Sequence, residues 1–150
     1  MKGKPPRLSH VEMIQQVLPG DTNPHGTVFG GKVMQWIDIA GAVSAMRHVK
    51  GPVVTASFDR VDFLAPGKLG HIMVLKGQVN YSGRTSLEVG VEVHAEDPMT
   101  GERVMTTKAV ITYVAIDAKG RPVPVPRVLP ETAEEKRRFH DGEVRRKARK

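Results

Sequence analysis

The spacing of apolar residues along the chain switches from one period to another, and each switch marks an element. Between Lys32 and about Val49, the residues Val33, Met34, Ile37, Ala40, Gly41 and Ala45 recur at separations of three and four, the period of one helical face. Trp36, Ile39, Ala42 and Val43 fill most of the remaining circumference, and a helix apolar nearly all round is buried on several sides. Its small residues Ala40, Gly41, Ala42 and Ala45 let a sheet approach closely, and Gly51-Pro52 stops it.

The rest of the pattern is strand-like. Ser9 to Leu18 predicts a first strand, ended by the turn formers Pro19 to Pro24. After the helix come Val53–Phe58 and Val61–Leu64 as two short strands, then a Pro66-Gly67 turn and a strand from His71 to Tyr81. Leu87, Val89, Val91, Val93 and Ala95 alternate with Ser86, Glu88, Gly90, Glu92 and His94, which predicts an antiparallel strand with one buried and one wet face. Arg103 to Ala115 predicts the last strand. One helix followed by a run of antiparallel strands gives an α+β class, with a single sheet wrapped on that helix. Such a sheet needs its edges covered, and dimerisation would extend it.

Both ends read as loose. Residues 1–7 look like an arm, and Pro122, Pro124, Pro126 and Pro130 suggest an extended segment leaving the domain. The expected division is a domain over 1–128 and a charged tail over 129–150, forming a solvent-exposed helix. Charge supports that division. Residues 127–150 carry nine Lys/Arg against five Asp/Glu, more than half of the net +7. A basic excess there invites nucleic acid, but no recognised motif accompanies it, and 5% aromatics offers no base-stacking platform.

Other classes fall away on composition. With no cysteine, neither a disulfide framework nor a thiolate metal site is available, and no two of the six histidines have a ligand spacing. MKGKPPRLSH lacks the apolar stretch of a signal peptide, and no run suggests a membrane span, so a cytoplasmic setting is expected.

Chemistry is concentrated around the helix. Asp38 has Met34, Gly41 and Ala45 as its helical neighbours, an apolar or small surrounding. A carboxylate there costs free energy unless paired or open to a cavity, and a desolvated one is a better general base. A capped Asp at the helix edge would read the same way. Gly30-Gly31 opens the helix: free N–H groups at that end favour negative charge and would stabilise an oxyanion, though a plain tight turn also uses Gly. Asn23 and His25 in the preceding loop have side chains able to orient a water or move a proton, and Arg84 in a hairpin could meet a phosphate.

These pieces combine into a recognisable whole. The run from Asn23 through Gly26, Phe29-Gly30-Gly31 to Asp38, with Ala40-Gly41-Ala42 following, resembles the signature of hotdog-fold acyl-CoA thioesterases of the cytosolic acyl-CoA hydrolase type, in their short single-domain bacterial form. Val53-Val54-Thr55, Val61-Asp62-Phe63, Ser82 to Ser86 and Tyr113 to Asp117 continue the resemblance, over roughly residues 9–128.

The resemblance implies a curved antiparallel sheet around one long central helix, paired into a double-hotdog dimer and often into a hexamer, a trimer of dimers. It implies an acyl-CoA substrate, no metal and no separate cofactor. Asp38 would activate water or attack directly, Asn23 of the facing subunit would hold water or substrate, and amides near Gly30 and Gly31 would polarise the thioester carbonyl. Ser82, Arg84 and Thr85 would meet the coenzyme A phosphates. The same fold also hosts hydratases and a non-catalytic acyl-CoA-binding regulatory protein is the reading from another class; the lack of an appended helix-turn-helix argues against the latter.

Overall fold

The apolar circumference of the central helix is explained by what encloses it. In the computed structural model, which describes residues 1–149, helix α1 (Gly30–Val49) lies in the hollow of one five-stranded sheet. The strands are β1 (Val11–Gln16), β2 (Val53–Phe63), β3 (Ile72–Ser82), β4 (Ser86–Glu96) and β5 (Arg103–Ala115). Their order is β1-β3-β4-β5-β2, every neighbour antiparallel, so β1 and β2 are the edges. This is the α+β layout expected, a sheet wrapped on one helix.

Packing follows the pattern of small residues. Trp36, Ile37, Ala40 and Ala45 of α1 pack in one core with Leu75, Val79, Leu87, Val89, Val91, Ile111 and Tyr113 of the sheet, Gly41 lies against Tyr113, and Ser44 and His48 are buried against Ser9 and Pro126. A Cβ on Gly77 would stand 3.5 Å from the carbonyl oxygen of Ala40, so the helix rides directly on β3 there. The helix ends at Val49, as expected: Lys50 adopts a left-handed conformation, φ 58°, and donates its N–H to Met46 O.

The two short strands expected after the helix are one strand, β2. Its register against β5 slips between Thr55 and Ser57 and again between Phe58 and Arg60. Two bulges interrupt the alternation in the sequence and bend the strand without ending it.

The ends are not loose. Lys4 donates its N–H to Arg127 O and its ammonium to His48 O at 2.9 Å, which ties the arm to the end of α1. The proline-rich stretch turns back: Val125 and Val128 are buried, and Val128 N–H donates to Ser82 Oγ at 2.9 Å. Helix α2 (Ala133–Ala148) starts at a capping box formed by Thr132 and Glu135 and lies across the convex face of the sheet. Phe139 meets the edge of Tyr81 with ring centroids 5.0 Å apart, and Gly142 is buried where a Cβ would strike Tyr81.

The face of β4 expected to be wet is therefore partly covered, and Glu88 is only 4% exposed. A polar stripe signals solvent unless a second polar element is matched to it. Here the basic helix is matched.

Candidate functional site

Asp38 sits on the third turn of α1, on the side facing β2 and β5. The register of those strands pairs Thr55 with Tyr113, and both side chains reach the carboxylate. Thr55 donates to Asp38 Oδ1 at 2.7 Å, and the Tyr113 hydroxyl lies 3.1 Å from the same oxygen and 2.9 Å from the Asp38 carbonyl. No donor among the described residues reaches Oδ2. Asp38 as a residue is half-buried.

Tyr113 is fully buried. Burial, reinforced by the neighbouring Asp38 charge and hydrogen bond, pushes its phenol well above the ordinary value, so it remains a protonated donor. Gly41 makes room for it: a Cβ there would collide with the phenol oxygen and lie 3.1 Å from two ring carbons.

The helix N-terminus is a second candidate feature. Lys32 and Val33 donate their N–H groups to Phe29 O, while those of Gly30 and Gly31 have no acceptor among the described residues. Both glycines are exposed. Beside them opens a mainly apolar cavity of about 360 Å³, lined by Val28, Gly30, Val33, Phe63, Leu64 and Met73, with Thr106 and Thr107 also on its wall.

Asn23 shapes the approach to this end. Its Oδ1 accepts from the N–H groups of His25 at 2.9 Å and Thr27 at 3.3 Å, and its Nδ2 donates to Thr27 Oγ1 at 2.9 Å. His25 is exposed.

The structure does not gather all these residues at one point of a single chain. Seven helical residues separate Gly31 from Asp38, about 10 Å along the axis. At the β3–β4 turn, Ser82 Oγ is taken up by Val128 N–H, Thr85 O accepts from Ala115 N–H, and the Arg84 side chain is exposed. Thr55, Tyr113 and the packing role of Gly41 were not singled out as chemistry in the sequence. Only the β2–β5 register brings the two hydroxyls to Asp38.

A larger cleft of about 470 Å³ runs between α2 and the sheet. The arginines it shares with α2 are already paired, Arg138 with Glu92 and Glu134, and Arg145 with Glu88. Among the described residues no group of three or more His, Asp or Glu is placed to hold a metal.

Comparison with known proteins gives a consistent result. The thioesterase superfamily model matches residues 25–102. A Bacillus subtilis protein named an uncharacterized acyl-CoA thioester hydrolase is 48% identical over 127 residues, 85% of this chain and 74% of the relative. The crystal structure of an apo-hexameric acyl-CoA thioesterase superposes with a TM-score of 0.96 at 45% identity, over 99% of this chain and 96% of that one.

The Staphylococcus aureus acyl-CoA hydrolase, solved with butyryl coenzyme A and coenzyme A, gives a TM-score of 0.91 at 39% identity, over 97% and 89% of the two chains. That enzyme has also been solved with an asparagine, an aspartate or a threonine replaced by alanine. Its asparagine precedes its aspartate by 15 positions and its threonine follows it by 17, the separations of Asn23, Asp38 and Thr55 here.

Proposed function

The chain belongs to the thioesterase superfamily, and from that premise we propose that it hydrolyses acyl-coenzyme A thioesters to the free acid and coenzyme A, with Asp38 as the reacting carboxylate. The observation that carries the proposal is the way Asp38 is held. Two neutral hydroxyls fix Oδ1 of the half-buried Asp38 and leave Oδ2 without a partner among the described residues. Such an oxygen either takes a proton from an attacking water or attacks the thioester itself.

The second half of the site comes from a second copy. Amides that polarise the carbonyl must lie within hydrogen-bond reach of it, and Gly30 and Gly31 are too far along their own helix from Asp38 to serve the same carbonyl. An antiparallel partner brings its helix N-terminus and Asn23 loop to the Asp38 of the first chain. The exposed surface supports this pairing: β2 has a free edge, and Phe29, Ile39, Met46, Val54, Phe63 and Leu64 are exposed around it.

The working form is thus a homo-oligomer, a dimer at minimum and a hexamer in the manner of its structural neighbour. Asn23 of the facing subunit would hold water or substrate, and the cavity beside Gly30 would take the acyl chain. Ser82, Arg84 and Thr85 are proposed near the coenzyme A phosphates, with Ser82 the weakest because Val128 already occupies its hydroxyl. The chemistry requires no metal or separate cofactor. A cytoplasmic setting belongs to the same proposal; among the described residues no helix is long and apolar enough to cross a membrane.

The test is thiol release from a panel of acyl-CoA esters. Turnover by the wild type, lost about 100-fold or more in Asp38→Ala, supports the assignment. Binding of acyl-CoA without turnover of any ester would replace it with a binding protein. Oxygen-18 entering Asp38 in a single turnover would identify direct attack, and its absence a bound water.

A further inference from the structure

We propose that Arg146, on the C-terminal helix, joins Arg84 to bind the phosphate groups of coenzyme A at the β3–β4 turn. The proposal rests on the thioesterase reading above and assigns part of its substrate recognition to a segment that the sequence marked only as a charged tail.

Charge pairing along α2 singles out Arg146. Arg137 pairs with Glu134 at 3.5 Å, Arg138 with Glu92 at 3.3 Å and Glu134 at 3.0 Å, and Arg145 with Glu88 at 2.7 Å. Just beyond the helix, Arg149 lies 3.7 Å from Asp59. Arg146 alone among these arginines has no carboxylate within 4 Å among the described residues. Its Nη1 donates to a neutral group, Ser86 Oγ, at 3.0 Å.

The turn is shaped around that guanidinium. A Cβ on Gly83 would stand 2.8 Å from Arg146 Cζ and 2.9 Å from Nη1, so the group rests against the bare backbone of the turn. The next residue is Arg84, exposed and likewise without a carboxylate partner among the described residues. Two arginines without a described carboxylate partner therefore meet at one turn, the Arg146 guanidinium held there by Gly83 and Ser86 and Arg84 exposed beside it. Guanidinium forks match phosphate oxygens in geometry and charge.

The turn also stands in the right place. Leu87 is paired with Tyr113, whose phenol holds Asp38, and Arg84 lies three residues before it, roughly 10 Å along the strand direction. Phosphates bound there leave the pantetheine arm to pass round the end of the sheet toward Asp38 of α1 on its concave face.

The experiment compares Arg146→Gln with the wild-type oligomer on two substrates bearing the same acyl group, the CoA ester and the acyl-pantetheine, which lacks the phosphoadenosine diphosphate. The expected result is a KM for the CoA ester raised about tenfold, as for a lost hydrogen bond to a charged group, with kcat unchanged and the acyl-pantetheine KM unmoved. A merely structural Arg146 would shift both substrates equally, and that result, or an unchanged KM for the CoA ester, overturns the proposal. If the wild type turns over neither ester, the thioesterase reading fails on its own. Calorimetric titration with coenzyme A then decides this inference: weaker binding by the variant upholds it, and equal binding overturns it.

Discussion

Two carboxylates lie on opposite faces of the sheet and are held by opposite means. On the convex face, Glu88 of β4 accepts from Arg145 Nε at 2.7 Å and Nη2 at 2.8 Å, one to each oxygen, and from Asn80 Nδ2 at 3.0 Å. Its charge is cancelled, both oxygens are used and its side chain is 3% exposed. On the concave face, Asp38 has only neutral donors among the described residues, all on one oxygen. The first arrangement docks a helix and leaves nothing to react. The second fixes an orientation and leaves a charged oxygen free. If Asp38 is the reacting carboxylate, what separates it from the structural Glu88 is the charge and placement of its donors, more than its depth.

The largest expected effect tests the reactive side. Asp38→Asn keeps the shape and an acceptor for Thr55 but removes the charge, so kcat falls about 100-fold or more while the urea midpoint of unfolding stays near the wild type. Equal losses in rate and stability would make Asp38 structural and collapse the contrast. The next effect tests the structural side. Arg145→Ala leaves Glu88 buried with Asn80 as its only described partner, which costs about 2 kcal/mol in urea unfolding, with kcat per folded molecule unchanged. A variant as stable as wild type would show that the pair contributes nothing net.

The same contrast explains what the sequence could reveal. Asp38 stood out because local helical spacing surrounds it with Met34, Gly41 and Ala45, and spacing is a short-range property. The element order and the long strands β4 and β5 were legible for that reason too. Thr55 and Tyr113 were not read as chemistry, because they meet Asp38 only through a β2–β5 register containing two bulges. Glu88 was read as a wet-face residue, since nothing in the alternation of β4 announces that Arg145, 57 positions later, covers it. The tail looked solvated for the same reason: its charges are matched to partners far away in sequence.

Tyr113 refines the reactive side with a smaller effect. Tyr113→Phe removes one of the two donors to Oδ1, and kcat is expected to fall about tenfold with KM little changed. Gly41→Ala should reproduce that loss with the phenol intact, because the new methyl group displaces it. If Tyr113→Phe is silent and Gly41→Ala is not, the glycine serves packing alone.

The smallest effect separates folding from chemistry in acid. His48 is fully buried, with Nε2 2.7 Å from Pro126 O, while Nδ1 has no partner among the described residues. Burial pushes its pKa below the ordinary 6.5, helped by the Lys4 ammonium and opposed by the Pro126 hydrogen bond. Above pH 6.5 both folded and unfolded chains hold it neutral, and stability is unaffected. Below that, the unfolded chain takes a proton that the folded one resists, so stability falls with decreasing pH, by at most about 1.4 kcal/mol per unit, until the depressed folded value is reached.

Urea unfolding of wild type and His48→Gln at pH 7.5 and 5.5 should show the wild type losing more stability on acidification. An identical loss in both would clear His48. The comparison matters for Asp38 because activity lost in acid has two possible sources. Loss that vanishes in His48→Gln belongs to the fold, and only the part that persists can be assigned to the reacting carboxylate.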